Sequence, residues 1–134
     1  MKRSIFFKIL LLSLILFFSL RITYASTVDR CTQMYLNQWQ GTYSWTYRGD
    51  HFQLPVTADV KYLSAHHYSV TMYLHSDIPS TIELKGTCMD SQIYLEEDPS
   101  ITTLPAYLQG SILDDGIHLT GNRGPDVLSI LLTK

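Results

Sequence analysis

Polar and apolar side chains alternate strictly along most of the chain from about residue 42 onward. In the first run Tyr43, Trp45 and Tyr47 alternate with hydroxyl residues. A period of two is the side-chain period of a β-strand that has one buried and one solvated face. The pattern predicts eight short antiparallel strands, which include residues 43–47, 56–62, 68–74, 82–88, 92–97, 106–113, 117–122 and 127–133.

Turn-forming residues separate these runs, as in Arg48-Gly49-Asp50 and Asp114-Asp115-Gly116. Two stretches, 84–95 and 108–119, also share the pattern L-x-G-x-x-x-D-x-x-I-x-L. Each combines a strand glycine, an Asp-initiated turn and an apolar pair on the return strand, which is typical of a hairpin. The chain is therefore expected to fold as a series of hairpins.

Eight short strands must also satisfy the hydrogen-bonding groups at the edges of their sheet. Closure into a barrel removes the edges, whereas a two-sheet sandwich only protects them. We therefore predict an all-β fold, a small antiparallel barrel of about eight strands, with a β-sandwich as the alternative. A short helix is predicted over Ser26–Gln38, because Val28, Cys31, Tyr35 and Trp39 recur at helical spacing. It would close one end of the barrel.

The first 25 residues have the organisation of a secretory signal peptide. Positive charge precedes an apolar run, and Thr23-Tyr24-Ala25 places small residues at the cleavage positions. As a helix, Ile5–Leu20 would span about 24 Å, short of the ~30 Å hydrocarbon core of a bilayer. The sequence predicts that residues 26–134 form a single domain, periplasmic or secreted, with no stable membrane anchor after processing.

Loss of the predicted signal peptide makes the chain more acidic. All twelve acidic residues but six of the ten basic residues lie within 26–134, a formal charge of −6 with neutral histidines. An acidic surface repels nucleic acids and anionic lipids and attracts cationic partners. We therefore expect no nucleic-acid binding.

The chain contains two cysteines, Cys31 and Cys88. Two thiols in a small exported domain usually pair, because the compartment is oxidising. The chain-entropy model gives such a loop about 4 kcal/mol of stabilisation. A disulfide between these cysteines is predicted.

Residue types that carry catalysis occur without the spacing that catalysis needs. The histidines show no metal-ligand spacing, and the acidic runs Glu96-Glu97-Asp98 and Asp114-Asp115 fit loops and turns better than a catalytic pair. The sequence predicts no catalytic residue, no metal and no cofactor.

Aromatic and loop residues are better candidates for binding. Tyrosine combines an apolar ring with a polar tip, which suits the lip of a pocket or a partner-binding surface. The candidate pocket residues are Tyr43, Trp45 and Tyr47. The candidate surface, centred on the loop that follows Glu96, comprises Tyr73, His75, Glu96, Glu97, Asp98, Ile101 and Leu104.

The motif Trp39-x-Gly41-x-Tyr43 at the start of the hairpins resembles small calycin-type barrels of the avidin and lipocalin kind, and also bacterial periplasmic lysozyme-inhibitor barrels. The order differs from the lipocalin pattern, where glycine precedes tryptophan, and no functional residue is carried over. We predict an exported, non-catalytic binding module for an extracytoplasmic protein, with inhibition as one form of that role. A small-molecule carrier is the first alternative and an enzyme is the second.

Overall fold

The computed structural model of the protein describes residues 8–9 and 29–134. These residues form a closed barrel of eight antiparallel strands, in which each strand pairs with its neighbours in the chain and β8 pairs with β1. The all-β barrel prediction is confirmed over the sandwich. The elements are α1 (Gln33–Leu36), β1 (Trp39–Tyr47), β2 (Asp50–Ser64), β3 (His67–Leu74), β4 (Ser80–Met89), β5 (Gln92–Glu97), β6 (Ala106–Ile112), β7 (Ile117–Arg123) and β8 (Asp126–Thr133).

The predicted helix is present but shorter than expected. Helix α1 has four residues and ends where Asn37 adopts an extended backbone. Trp39 was expected on the apolar face of this helix, but it is the first residue of β1, where it pairs with Ala58. Sheet pairing thus outweighs the helical spacing. The start of the predicted helix, Ser26 to Val28, and the predicted signal peptide, apart from Lys8 and Ile9, lie outside the described residues.

The predicted alternation places one face of every strand inside the barrel. Along β3, for example, Tyr68, Val70, Met72 and Leu74 are all buried, whereas Tyr73 between them is exposed. Fully buried side chains from seven strands and α1 fill the interior. They are Met34, Trp39, Met72, Leu84, Leu95, Leu108, Ile112, Ile117, Leu119, Leu128, Ile130 and Leu132.

The two stretches with the shared pattern form consecutive hairpins, β4–β5 and β6–β7, as predicted. Their glycines occupy equivalent positions. A Cβ atom on Gly86 would lie 1.8 Å from the backbone oxygen of Tyr94, and one on Gly110 would lie 1.7 Å from that of His118. Both positions require glycine because the neighbouring strand approaches too closely for any side chain.

The barrel has two ends, which we call the base and the mouth. The base carries α1 and the loops β2–β3, β4–β5 and β6–β7, whereas the mouth carries the loops β1–β2, β3–β4, β5–β6 and β7–β8. A disulfide between Cys31 and Cys88 joins the segment before α1 to β4 at the base, which confirms the predicted pairing. No helix among the described residues is long and apolar enough to cross a membrane.

The segment around α1 closes the base as a plug. Met34 is 1% exposed, and its backbone oxygen accepts a hydrogen bond of 2.8 Å from the Trp39 indole N–H. The turn between β4 and β5 holds the start of this segment, since the Ser91 hydroxyl accepts a bond of 2.8 Å from the Arg30 backbone N–H. The side chain of Arg30 forms an ion pair of 2.7 Å with Asp114, from the loop between β6 and β7. These contacts connect the segment before α1 to the β4–β5 turn and to the β6–β7 loop.

Candidate functional site

A cavity of about 250 Å³ opens at the mouth of the barrel. Half of its lining residues are the inward-facing positions nearest the mouth on their strands, and the others lie deeper along β1, β2 and β8. The lining residues are Tyr43, Trp45, Leu54, Leu74, Ser80, Arg123, Asp126 and Leu128. The same alternation that builds the core therefore also builds this cavity.

An ion pair between Glu97 and Arg123 lies beside the cavity. The two side chains are 15% and 32% exposed. Glu97 Oε1 accepts a hydrogen bond from the Arg123 guanidinium and another, of 3.0 Å, from the backbone N–H of Ala106. One carboxylate therefore holds β5, β6 and β7 together at the mouth.

Asp126, at the start of β8, adds a second carboxylate to the lining of the cavity. Its Oδ1 atom is buried and has no hydrogen-bond partner among the described residues, and the same is true of Arg123 Nε. The ion pairs of the described residues include Arg123 with Glu97 but none with Asp126. Since one guanidinium faces two carboxylates, the three groups carry a net charge of −1.

The Tyr43 hydroxyl belongs to the same electrostatic environment. The residue is only 4% exposed. Burial raises the pKa of Tyr43 above its ordinary value of 10.0; Arg123 opposes this rise, whereas Glu97 and Asp126 add to it. Tyr43 is therefore neutral at physiological pH, and the negative charge of the site comes from its carboxylates.

Aromatic rings form one wall of the cavity. The Trp45 ring lies 5.9 Å from that of Tyr43 and stacks on Phe52, with ring centroids 5.2 Å apart. Of the three predicted pocket residues, Tyr43 and Trp45 line the cavity. Tyr47 does not line it: this residue is 40% exposed, and the Arg48 guanidinium lies 5.1 Å from the centre of its ring. Strand β1 ends at Tyr47, so no further layer of inward-facing side chains covers this residue.

The predicted binding surface does not form one patch. Tyr73 faces outward on β3, and His75 just beyond it is hydrogen-bonded through Nε2 to Thr57 Oγ1 at 3.1 Å. Glu96 also faces outward, but it lies on β5, with β4 in between. Glu97 was expected on this surface and instead turns into the barrel, because it continues the inward-facing positions of Ile93 and Leu95. That expectation is corrected.

The loop between β5 and β6 lies at the mouth and carries the other three residues of the predicted surface. Asp98 Oδ1 accepts hydrogen bonds of 2.7 and 2.8 Å from the hydroxyl and backbone N–H of Ser100, which lower the pKa of this carboxyl. Leu104 lies beside Gly124 of the β7–β8 turn, while Ile101 is 76% exposed. The loop thus brings one charged and two apolar side chains to the mouth.

A larger groove, of about 600 Å³, lies elsewhere on the barrel, along β4 to β7. Its lining, which includes Tyr94, Gln92 and Gln109, is uncharged. The mouth is the stronger candidate, because its cavity contains charged side chains with buried polar atoms that find no hydrogen-bond partner in the described part of the chain. No group of three or more metal-ligating side chains occurs in the described part of the chain.

Sequence reasoning missed the two charged residues that define the site, Arg123 and Asp126. Both stand next to a turn, where charged residues are ordinary. The signal that could have found them is alternation: Arg123 follows Gly121 by two residues, and Asp126 precedes Leu128 by two. Each charged side chain therefore continues the buried face of its strand, as Glu97 also does.

No known protein-family model matches the chain, and no curated protein matches it significantly. The strand order defines the described residues as an up-and-down β-barrel. One end of this barrel is plugged and disulfide-bonded, and the other contains a charged, aromatic-walled cavity.

Proposed function

We propose that this protein is an exported, non-catalytic binding protein that docks a basic extracytoplasmic protein at the mouth of its barrel. The observation that carries the proposal is the combination, at one end of the molecule, of a negatively charged cavity and exposed apolar side chains around it. The Cys31–Cys88 disulfide is consistent with an oxidising, exported environment. The predicted signal peptide supports export.

The exposed apolar side chains around the cavity form what we call the mouth rim. Every hairpin at this end contributes at least one of them, and their exposed fractions range from 40% to 83%. The rim residues are Tyr47, Phe52, Ile78, Ile101, Leu104 and Val127. The base also exposes apolar residues, such as Leu36 and Tyr62, but these surround a filled end. Exposed apolar surface grouped at one end of a molecule is a common mark of a protein-binding site.

The charge of the mouth favours a basic partner. Residues 48–50, 75–80, 97–105 and 123–126 contain five carboxylates and two guanidinium groups, a formal net charge of −3. The carboxylates belong to Asp50, Asp77, Glu97, Asp98 and Asp126, and the guanidinium groups to Arg48 and Arg123. A negative surface accelerates association with positive partners and repels negative ones.

The size of the cavity favours a protein partner over the alternative of a small-molecule carrier. Small-molecule pockets usually measure about 300–1,000 Å³, whereas this one measures about 250 Å³. The rim side chains would also lie outside any ligand confined to the cavity. A protein that inserts a side chain and covers the rim uses both features.

The test is partner capture with purified protein that lacks residues 1–25. The captured protein is identified, purified and measured by calorimetry; a lysozyme, the partner class implied by the resemblance, serves as the first purified basic probe. We expect the Ile78→Ser/Ile101→Ser variant to weaken binding at least about tenfold, since it removes two rim contacts. Leu36→Ser/Tyr62→Ser is the matched control at the base and should bind normally.

The opposite pattern would contradict the proposal: unchanged binding by the rim variant and weaker binding by the base variant would place the interface at the base. A small molecule that co-purifies with the protein and is seen by native mass spectrometry would favour the carrier. In that case the molecule should compete with the protein partner for the mouth.

A further inference from the structure

We infer that the mouth cavity is a recognition pocket for one cationic side chain, an alkylammonium or guanidinium group, with Asp126 as its anion. This inference rests on the proposed function and makes it more specific. It identifies the chemical group that the partner inserts and the residues that distinguish this group from a neutral one.

The first argument is the charge of Asp126. The Glu97–Arg123 pair is self-neutralising, so Asp126 is the excess carboxylate. One of its oxygens is buried, and none of the described residues donates a hydrogen bond to it. A partly buried carboxylate without a cation is unfavourable, because it has lost water without gaining a partner. A cation that enters the cavity supplies the missing charge and forms a charge-assisted hydrogen bond.

The second argument is the aromatic wall. Tyr43 and Trp45 line the same cavity as Asp126, so a cation beside the carboxylate is also close to two ring systems. Ring faces attract cations, tryptophan most strongly, and the attraction grows as water is excluded. An aromatic wall next to an unpaired carboxylate therefore favours an organic cation over both a neutral group and an anion.

The positive groups at the mouth do not cancel this preference. Arg123 also lines the cavity, but its guanidinium is bonded to Glu97. Arg48 stands outside the cavity, over the ring of Tyr47. Ser80, the remaining polar residue of the lining, has a neutral hydroxyl that can accept a hydrogen bond from the incoming cation.

The size of the cavity limits the ligand to one side chain. About 250 Å³ accommodates a single side chain and is too small for a folded segment. The aliphatic part of a lysine or arginine can contact Leu54 and Leu74 while its charged end reaches Asp126. Long basic side chains commonly divide their contacts in this way.

The experiment compares three blocked amino acids that differ in the end of the side chain: the N-acetyl methylamides of lysine, arginine and norleucine. Binding to the protein without residues 1–25 is followed by NMR, using the Trp45 indole N–H and the Arg123 Nε–H as reporters. We expect lysine or arginine to bind at least about tenfold more tightly than norleucine, because the charge supplies the affinity.

Asp126→Asn tests the proposed anion while keeping the size of the side chain. It should weaken cation binding about tenfold and leave norleucine binding unchanged. Asp59→Asn, on the exposed outer face of β2, removes the same charge elsewhere and should have less than about a twofold effect. If Asp126→Asn fails to fold, Trp45→Leu provides the second variant, and it should weaken the binding of both cations.

The inference is overturned if norleucine binds as tightly as lysine and arginine, if no probe binds, or if Asp126→Asn binds the cations normally. These outcomes differ from a failure of the proposed function. Cation binding that depends on Asp126, with partner binding insensitive to Ile78→Ser/Ile101→Ser, would retain the pocket and reject the mouth as the docking surface. Rim-dependent partner binding without cation binding would retain docking and reject the cation pocket.

Discussion

The base and the mouth of this barrel are built from the same alternating strands but are completed by different chemistry. At the base, inward-facing positions are apolar and meet the plug around α1, which a disulfide and the Trp39–Met34 hydrogen bond hold in place. At the mouth, the corresponding positions include Glu97, Arg123 and Asp126, and no helix among the described residues covers them. The base is therefore expected mainly to stabilise the barrel, and under the proposed function the mouth is left open for binding.

The two ends are expected to contribute differently to the stability of the folded protein. Residues packed at the base contribute burial and a covalent restraint, which are large favourable contributions to stability. Charged residues at the mouth contribute less, because much of what they gain from each other is offset by lost hydration. Changes at the base are therefore expected to affect stability most, and changes at the mouth to affect binding most.

Removal of the disulfide tests this comparison with the largest expected effect. In Cys31→Ala/Cys88→Ala the free energy of unfolding should fall by about 4 kcal/mol, because the unfolded chain is no longer restrained. Denaturant unfolding of both proteins measures the change. The folded fraction should still bind at the mouth under native conditions; loss of mouth binding in the folded fraction would show that the two ends are coupled.

Trp39→Phe removes one hydrogen bond from the plug. The Met34 carbonyl loses its indole donor in a site that is about 1% exposed. We expect a loss of about 2 kcal/mol, since a buried polar group is left without a partner. Trp45→Phe at the mouth is the matched control, because Trp45 is partly exposed and lies outside the core, and it should cost less than about 1 kcal/mol. An equal loss in both variants would contradict the distinction between the two ends.

Arg123→Met tests the ion pair at the mouth. It leaves Glu97 and Asp126 as two carboxylates without a cation, and we expect about 1.5 kcal/mol of destabilisation. The double variant Glu97→Gln/Arg123→Met should recover part of this loss, because one unpaired charge is removed. Thermal unfolding of the single and double variants gives the coupling energy of the pair. Additive effects would mean that the pair does not contribute to stability.

Most of the fold could be predicted from the sequence, because alternation reports directly which side chains are buried. All eight strands, the repeated hairpin and the Cys31–Cys88 disulfide follow from local pattern or compartment. The end of the helix could not be predicted, because Trp39 satisfies both a helical and a strand spacing. Long-range pairing with Ala58 decides between them.

The site was harder to predict than the fold, for a physical reason. Tyr43 and Trp45 were found because aromatic residues on a buried face are conspicuous. Arg123 and Asp126 belong to one hairpin, but their relation to Glu97 depends on the pairing of β5 with β6 and of β6 with β7, which brings the ends of three strands together. Charged residues near a turn are usually exposed to solvent. At Arg123 and Asp126, by contrast, the alternation of the strand predicts a side chain that faces inward.

The smallest expected effect is a pH dependence that involves Tyr43. Its pKa is raised in the folded protein, chiefly by burial, so above pH 10 the unfolded state ionises at this residue before the folded state does. The free energy of unfolding should therefore fall as the pH rises through 10 toward the folded-state pKa. Tyr43→Phe removes this contribution and should give a shallower decline between pH 9 and pH 11 in urea unfolding.

Tyr68 near the base also has its pKa raised by burial, so the decline should shrink without disappearing. An unchanged decline in Tyr43→Phe would mean that this hydroxyl is not held in the dry surroundings on which the interpretation of the mouth depends.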